Sequence, residues 1–282
     1  MSLALTPPPA GALPRRTLGD VYRRLADLCE ALSVRVAEPG ADAPQAGVTA
    51  AELMSEPAAV EALVDAEAAR IQERHHVAPR RDVAASRALH DYAWSVALLM
   101  SGPWYLERRV PRIRAEELRL DLASAVFTIT PGSGYACLPD DPAADSPGAL
   151  TVPHEEALRG ELRTAVAEHM DPLLTAIGPL VRRGRRALWG MVADDLVSGI
   201  WYLGRLLGRE GDAVRAATEL LPGAVAPYPG GAGFRYLTTE DGRRHPTRTR
   251  AGCCMYYTIR PAEACATCPR TCDAERLRRL ES

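Results

Sequence analysis

Neither Lys nor Asn occurs in the 282 residues, so all 34 basic Lys-plus-Arg positions are Arg. Codons for Lys and Asn are A-rich, and a GC-rich coding sequence accounts for both absences without a functional reason. With 36 acidic residues the formal net charge is −2, which points to neither a nucleic acid nor an acidic surface as partner. No stretch approaches the roughly 18 consecutive apolar residues of a membrane span. From Ser2 to Arg16 the arginines follow the apolar part, the reverse of a signal peptide. These absences predict a cytoplasmic protein with no membrane span and no nucleic acid, where thiols stay reduced.

Common catalytic signatures are missing too. There is no Walker loop, no G-x-S-x-G elbow and no zincin helix. Gly230-Gly231-Ala232-Gly233 is not a dinucleotide fingerprint, because no strand is expected before it. A reductase built on this chain would have to take electrons from a separate carrier protein.

What is present is cysteine, concentrated at one place. Five of the seven lie between Cys253 and Cys272, in the run C-C-M-Y-Y-T-I-R-P-A-E-A-C-A-T-C-P-R-T-C. Thiols at that density are disulfides or ligands of a soft metal. The Cys265–Cys268 pair is a C-x-x-C turn, which lets two sulfurs converge on one ion. Cys253 and Cys254 are adjacent and point to opposite sides of an extended chain. Both can ligate only if the backbone turns there, or if they serve two neighbouring ions. A two-iron cluster shares four thiolates between two irons and suits this set, whereas zinc ribbons use two C-x-x-C knuckles. Three readings stand: an iron–sulfur cluster, a structural four-cysteine zinc site, and a disulfide-bonded tail in an oxidising compartment.

The pattern C-C, ten residues, then C-x-x-C resembles the C-terminal 2Fe–2S motif of FhuF-like ferric-siderophore reductases. Met255-Tyr256-Tyr257 after the first pair and Pro269 after the last patterned cysteine agree with it. Ala187-Leu188-Trp189-Gly190 with Val192-Ala193 resembles a helix of that family, with Met191 where the family often has Asn. The resemblance implies a 2Fe–2S cluster held by Cys253, Cys254, Cys265 and Cys268, with Cys272 outside the pattern. It implies one-electron reduction of a ferric siderophore, of hydroxamate type, with a ferredoxin or flavoprotein as donor. The alternative function is a non-redox helical binding or scaffold protein clipped by zinc.

The rest of the chain predicts a mainly α (α+β) fold: a disordered tail over 1–16, a helical body over 17–221, and a linker with the cluster segment over 222–282. Thr17 caps a helix expected to run to about Val36, with Leu18, Val21, Leu25, Leu28 and Leu32 on one face and Cys29 buried at its edge. Glu38–Gly47 is a linker. Thr49 opens a helical region that restarts near Pro57 and ends near His75. Asp82 caps a helix expected to stop at Gly102-Pro103, and His90 within it reads as a satisfied core residue.

One β-hairpin is expected near 118–138, with Val126–Thr130 turning at Pro131–Gly134 and returning over Tyr135–Leu138. Asp140, Asp141 and Asp145 read as solvated. A helical stretch from His154 to Arg182 is expected to be interrupted at Pro172 and Pro179, and Arg182–Arg186 forms a basic turn. The most apolar helix follows to Leu207, ended by Gly208. It carries Asp194 and Asp195 among apolar neighbours, best explained by a salt bridge to Arg. Phe234–Arg250 can form a hairpin, and a short helix ends the chain.

Overall fold

The computed structural model describes residues 16–38 and 47–281. The expected tail, apart from Arg16, and most of the 38–47 linker lie outside the described residues. The helices are α1 (Leu18–Leu28), α2 (Ala50–Ser55), α3 (Pro57–His75), α4 (Arg81–Glu107), α5 (Glu155–Val181), α6 (Arg185–Leu206), α7 (Glu210–Leu220) and α8 (Asp273–Glu281). The strands are β1 (Val34–Val36), β2 (Val48–Thr49), β3 (Val110–Pro111), β4 (Leu118–Asp121), β5 (Val126–Ile129), β6 (Tyr135–Cys137), β7 (Ala149–Thr151), β8 (Phe234–Thr238) and β9 (Arg244–Arg248). The fold is mainly α with small sheets, as the composition of the segments predicted.

α4 is the axis of the fold. It packs on α6, α5, α3 and α1, and from Leu98 to Trp104 every side of it is buried. It runs through Gly102-Pro103 rather than stopping there. An interior Pro costs about 3 kcal/mol, but burying a side chain such as Met100 or Trp104 returns about 2 kcal/mol each. Gly102 also lets α1 approach, since a Cβ there would sit 2.7 Å from Leu25. For the same reason α5 continues through Pro172 and Pro179: Met170, Leu173, Leu174, Ile177 and Val181, before, between and after them, are all buried.

α1 begins where expected, with a capping box between Thr17 and Asp20, but it ends at Leu28. Val34–Val36 is instead a strand, paired in parallel with Phe127–Ile129. The helical face had continued through Leu32 in the sequence. A β-branched pair beside a distant strand decided otherwise.

The expected 126–138 hairpin is corrected as well. β5 pairs antiparallel with β4, while β6 leaves it to join β3 and β7. The sheets are β1-β5-β4-β2, β3-β6-β7 and β8-β9. Asp141 is not solvated: Arg109 grips both its carboxylate oxygens at 2.6 and 2.7 Å, in a pair buried on both sides. Cys29 is fully buried, as expected.

Candidate metal centre

The cysteine segment is delivered to the helical body by β9. Residues two apart on an extended chain face the same way, so Arg248 and Arg250 both turn towards α6. There they meet the acidic pair at Asp194 and Asp195. Arg248 Nη2 donates to Asp194 at 2.5 Å, and Arg250 pairs with Asp195. His90 of α4 lies 2.9 Å from Asp195 through Nδ1. All four charged side chains of the two pairs are nearly inaccessible to solvent.

Burial raises the Asp194 carboxyl above its usual value against the pull of Arg248 and Arg250. At Asp195 burial acts the same way, but His90 and Arg250 outweigh it and hold the carboxyl low. The Asp194 carboxylate also accepts the Gly252 N–H at 2.6 Å. A Cβ on Gly252 would lie 2.8 Å from the Met191 nitrogen. Only Gly lets the chain pass this close to α6 just before Cys253.

The loop then folds on itself. Met255 adopts a left-handed conformation, φ 63°, and opens a short 3-10 turn at Tyr256–Thr258. This is the local turn that adjacent cysteines need. Arg183, from the basic turn before α6, holds it by donating to the Cys253 carbonyl at 2.8 Å and contacting Met255 Sδ. The second knuckle closes with the Cys268 N–H on the Cys265 carbonyl at 2.9 Å. Arg276 of α8, buried to 2 % exposure, donates to the Cys268 carbonyl and to Arg248 and Thr249 behind it.

Cys253, Cys254, Cys265 and Cys268 line one small cavity together with Arg250, Tyr256, Tyr257 and Pro269. Cys272 is exposed and does not line it. Thr267 Oγ1 is 3.8 Å from Cys265 Sγ as donor. The Cys265 thiol is pushed up by burial, with Arg250 pulling the other way. Arg87 of α4 lies near enough to the Cys254 thiol for their charges to interact. Tyr257 carries Arg270 over its ring at 4.1 Å.

Among the described residues no group of three or more His, Cys, Asp or Glu side chains is set to hold one metal ion. The four cysteines line one cavity without converging on a single ion. Arg250 Nε, at the cavity, is buried and has no hydrogen-bond partner. It is 3.9 Å from the Asp194 carboxylate, beyond hydrogen bonding. A donor stranded beside four thiols fits a sulfur-rich anionic group, whose potential such N–H groups tune.

Several residues here escaped the sequence reading. The acidic pair was expected to meet Arg, but the partners come from 54 and 55 residues further on. Arg87, Arg183 and Arg276 carried no local signal. The alternation Arg248-x-Arg250 before Gly252-Cys253 was the available clue for the two that pair. Trp189 is 2 % exposed in the core, edge-on to Tyr228.

Residues 250–270 match the family model described as the FhuF 2Fe-2S C-terminal domain. No curated protein matches the chain. The family match falls on the residues where the cysteine spacing suggested it. The cofactor is a 2Fe–2S cluster.

Proposed function

We propose that the protein is a ferric-siderophore reductase that releases iron as Fe(II). The observation that carries this reading is the cavity lined by Cys253, Cys254, Cys265 and Cys268 inside the segment that matches the FhuF 2Fe-2S domain. These four thiolates would hold the cluster. A bound 2Fe–2S cluster supplies one-electron transfer, by which an electron from a separate donor protein reduces chelated Fe(III) to Fe(II). The lower charge weakens the Coulombic hold of hard oxygen ligands, and the chelator lets go.

The chain's own groups then have three tasks. Arg250 and Arg87 place positive charge beside the sulfurs, which favours the more negative, reduced state. The Asp194–Arg248 and Asp195–Arg250 pairs fix the segment against α6, so the centre does not reorganise when its charge changes. Tyr256 and Tyr257 wall the cavity from water. No acid, base or nucleophile is required, in keeping with a sequence that has none of the usual catalytic signatures.

The substrate is a ferric siderophore of hydroxamate type, and the donor is a ferredoxin or flavoprotein. Stopped-flow mixing of the reduced protein with ferric hydroxamates, with an Fe(II) trap present, tests this directly. Return of the stronger visible absorption of the oxidised centre, with stoichiometric trapped Fe(II), is expected. A centre that stays reduced against every ferric chelate overturns the reading, as does a colourless protein with stoichiometric zinc.

A further inference from the structure

The helical body carries a trough that runs up to the cysteine segment. Its first stretch, about 630 Å³, is lined by Arg70, Arg74, Arg87, Asp91, Ser33 and Tyr256. Two more stretches of about 410 Å³ each continue it, past Phe127 and Trp94 and on to Trp201, Arg250 and Thr267. Asp91 of α4 lines all three. These volumes are those of small-molecule sites, typically about 300–1,000 Å³.

The trough touches the thiol cavity at both ends. Tyr256 and Arg250 each line both spaces. Arg87 pairs with Asp91 at 2.6 Å, lies 5.3 Å from the Tyr256 ring centre, and sits near enough to the Cys254 thiol for their charges to interact. One side chain therefore separates the trough from a sulfur. Thr267, at the other end, is the donor towards Cys265.

We propose that this trough is the seat of the ferric chelate, with Arg87 as the positioning residue between the chelate and Cys254; this rests on the reductase reading above. The lining suits a chelate without net charge. Arg70 is paired with Glu67 at 3.0 Å and Arg87 with Asp91, so cations and anions are balanced along the walls. Three hydroxamate monoanions on Fe(III) also sum to zero. Trp94 and Phe127 supply apolar wall for the ligand backbone, and Arg74, with no ion pair among the described residues, offers a free donor to chelate oxygens.

The test separates binding from electron transfer by using the Ga(III) tris-hydroxamate, which the centre does not reduce. Calorimetry on the cluster-loaded protein should show saturable binding. Ser33→Trp and Ala31→Trp fill the trough from exposed positions on its rim and should each weaken binding by about tenfold or more. Arg215→Trp on α7 is the control and should bind as the parent does. The electron paramagnetic resonance spectrum of the reduced centre should be the same in all four proteins. Unchanged affinity in both blocking variants overturns the trough, and so does absence of Ga(III)-chelate binding to the parent. Oxidation of the reduced centre by ferric chelates is scored separately. If it proceeds without Ga(III)-chelate binding, the reductase reading stands and the trough fails; if it is absent while binding and its loss are seen, the trough stands as a chelate site and the reductase reading fails.

Discussion

Arg250 stands three residues before Cys253 and closes a buried ion pair on Asp195, which lies 55 residues earlier on α6. The same guanidinium lines the thiol cavity. Through this one contact the position of the cysteine segment is set by the interior of the helical body.

Removing one partner should therefore release the segment. Breaking a buried pair costs about 3–5 kcal/mol, because the remaining charge is left unpaired. Asp195→Asn and Arg250→Gln should each lower the denaturation midpoint by a corresponding amount and reduce iron per chain. Arg235→Gln, on the exposed pair with Asp273, should cost about 0–1 kcal/mol. Similar losses in the buried and exposed variants would mean that the pair does not anchor the segment.

Cys253, Cys254, Cys265 and Cys268 should each be required for the centre. A Ser in place of one thiolate offers a harder oxygen ligand and should remove most of the bound iron. Cys272→Ser should keep it, since that side chain is outside the cavity. Iron and acid-labile sulfide per chain decide between the two groups. Loss in the Cys272 variant with retention in a Cys253 variant would reverse the assignment.

Gly252→Ala should be poorly tolerated although its φ is ordinary. The added Cβ meets α6 backbone under 3 Å, at the Met191 nitrogen and Cα, and backbone does not give way as a side-chain tip does. Overpacking of this kind costs about 1–3 kcal/mol. The Gly252 N–H on Asp194 would be strained by the same shift. Gly184→Ala, which meets nothing within 4 Å, serves as the control in a thermal melt followed by visible absorbance.

Stability should fall in mild acid through His169. Burial depresses its pKa to about 4, and its Nε2 lies 2.9 Å from the Tyr92 hydroxyl. The unfolded chain takes up this proton near the ordinary value of about 6.5, before the folded one does. The contribution is full above that pH, about 2 kcal/mol of it is gone by pH 5, and the loss continues as pH falls through about 4. Denaturant midpoints at pH 7 and pH 5 should differ less in His169→Gln than in the parent. Equal slopes would assign the acid sensitivity elsewhere.

Removing the positive charge of Arg87 should make the centre harder to reduce. Reduction adds negative charge, which a cation beside Cys254 stabilises, so Arg87→Gln should move the midpoint potential downwards by on the order of tens of millivolts. Arg87→Lys should move it less. A redox titration followed by electron paramagnetic resonance reads the shift, and an upward shift would contradict the electrostatic role.

Much of the site was legible because its signal is covalent and local. Four thiols within sixteen residues can be read without knowing the fold, whereas the left-handed turn at Met255 could not. Two helix starts were legible for the same reason, since Thr17 and Thr49 cap through side chains three residues away, whereas Asp82, expected as a cap, lies inside the first turn of α4 behind Arg80. Helix ends at proline were misread, because the cost of Pro103, Pro172 and Pro179 is local while the burial that offsets it comes from other helices. The strand at Val34–Val36 and the pairing of Val126–Ile129 depended on partners about ninety and about ten residues away, and periodicity within a window carries no information on partners.

The amino-acid sequence by itself determined the donor set, because four sulfurs at fixed spacing suit a soft metal wherever thiols stay reduced. It also determined that α6 must carry Asp194 and Asp195 into an apolar setting that demands compensation. Only the tertiary structure decided that Arg248 and Arg250 provide it, and that Arg87 of α4 comes to lie beside Tyr256 and the cysteine segment. Charges buried in a low dielectric must find partners, and which partner each finds depends on how distant segments pack.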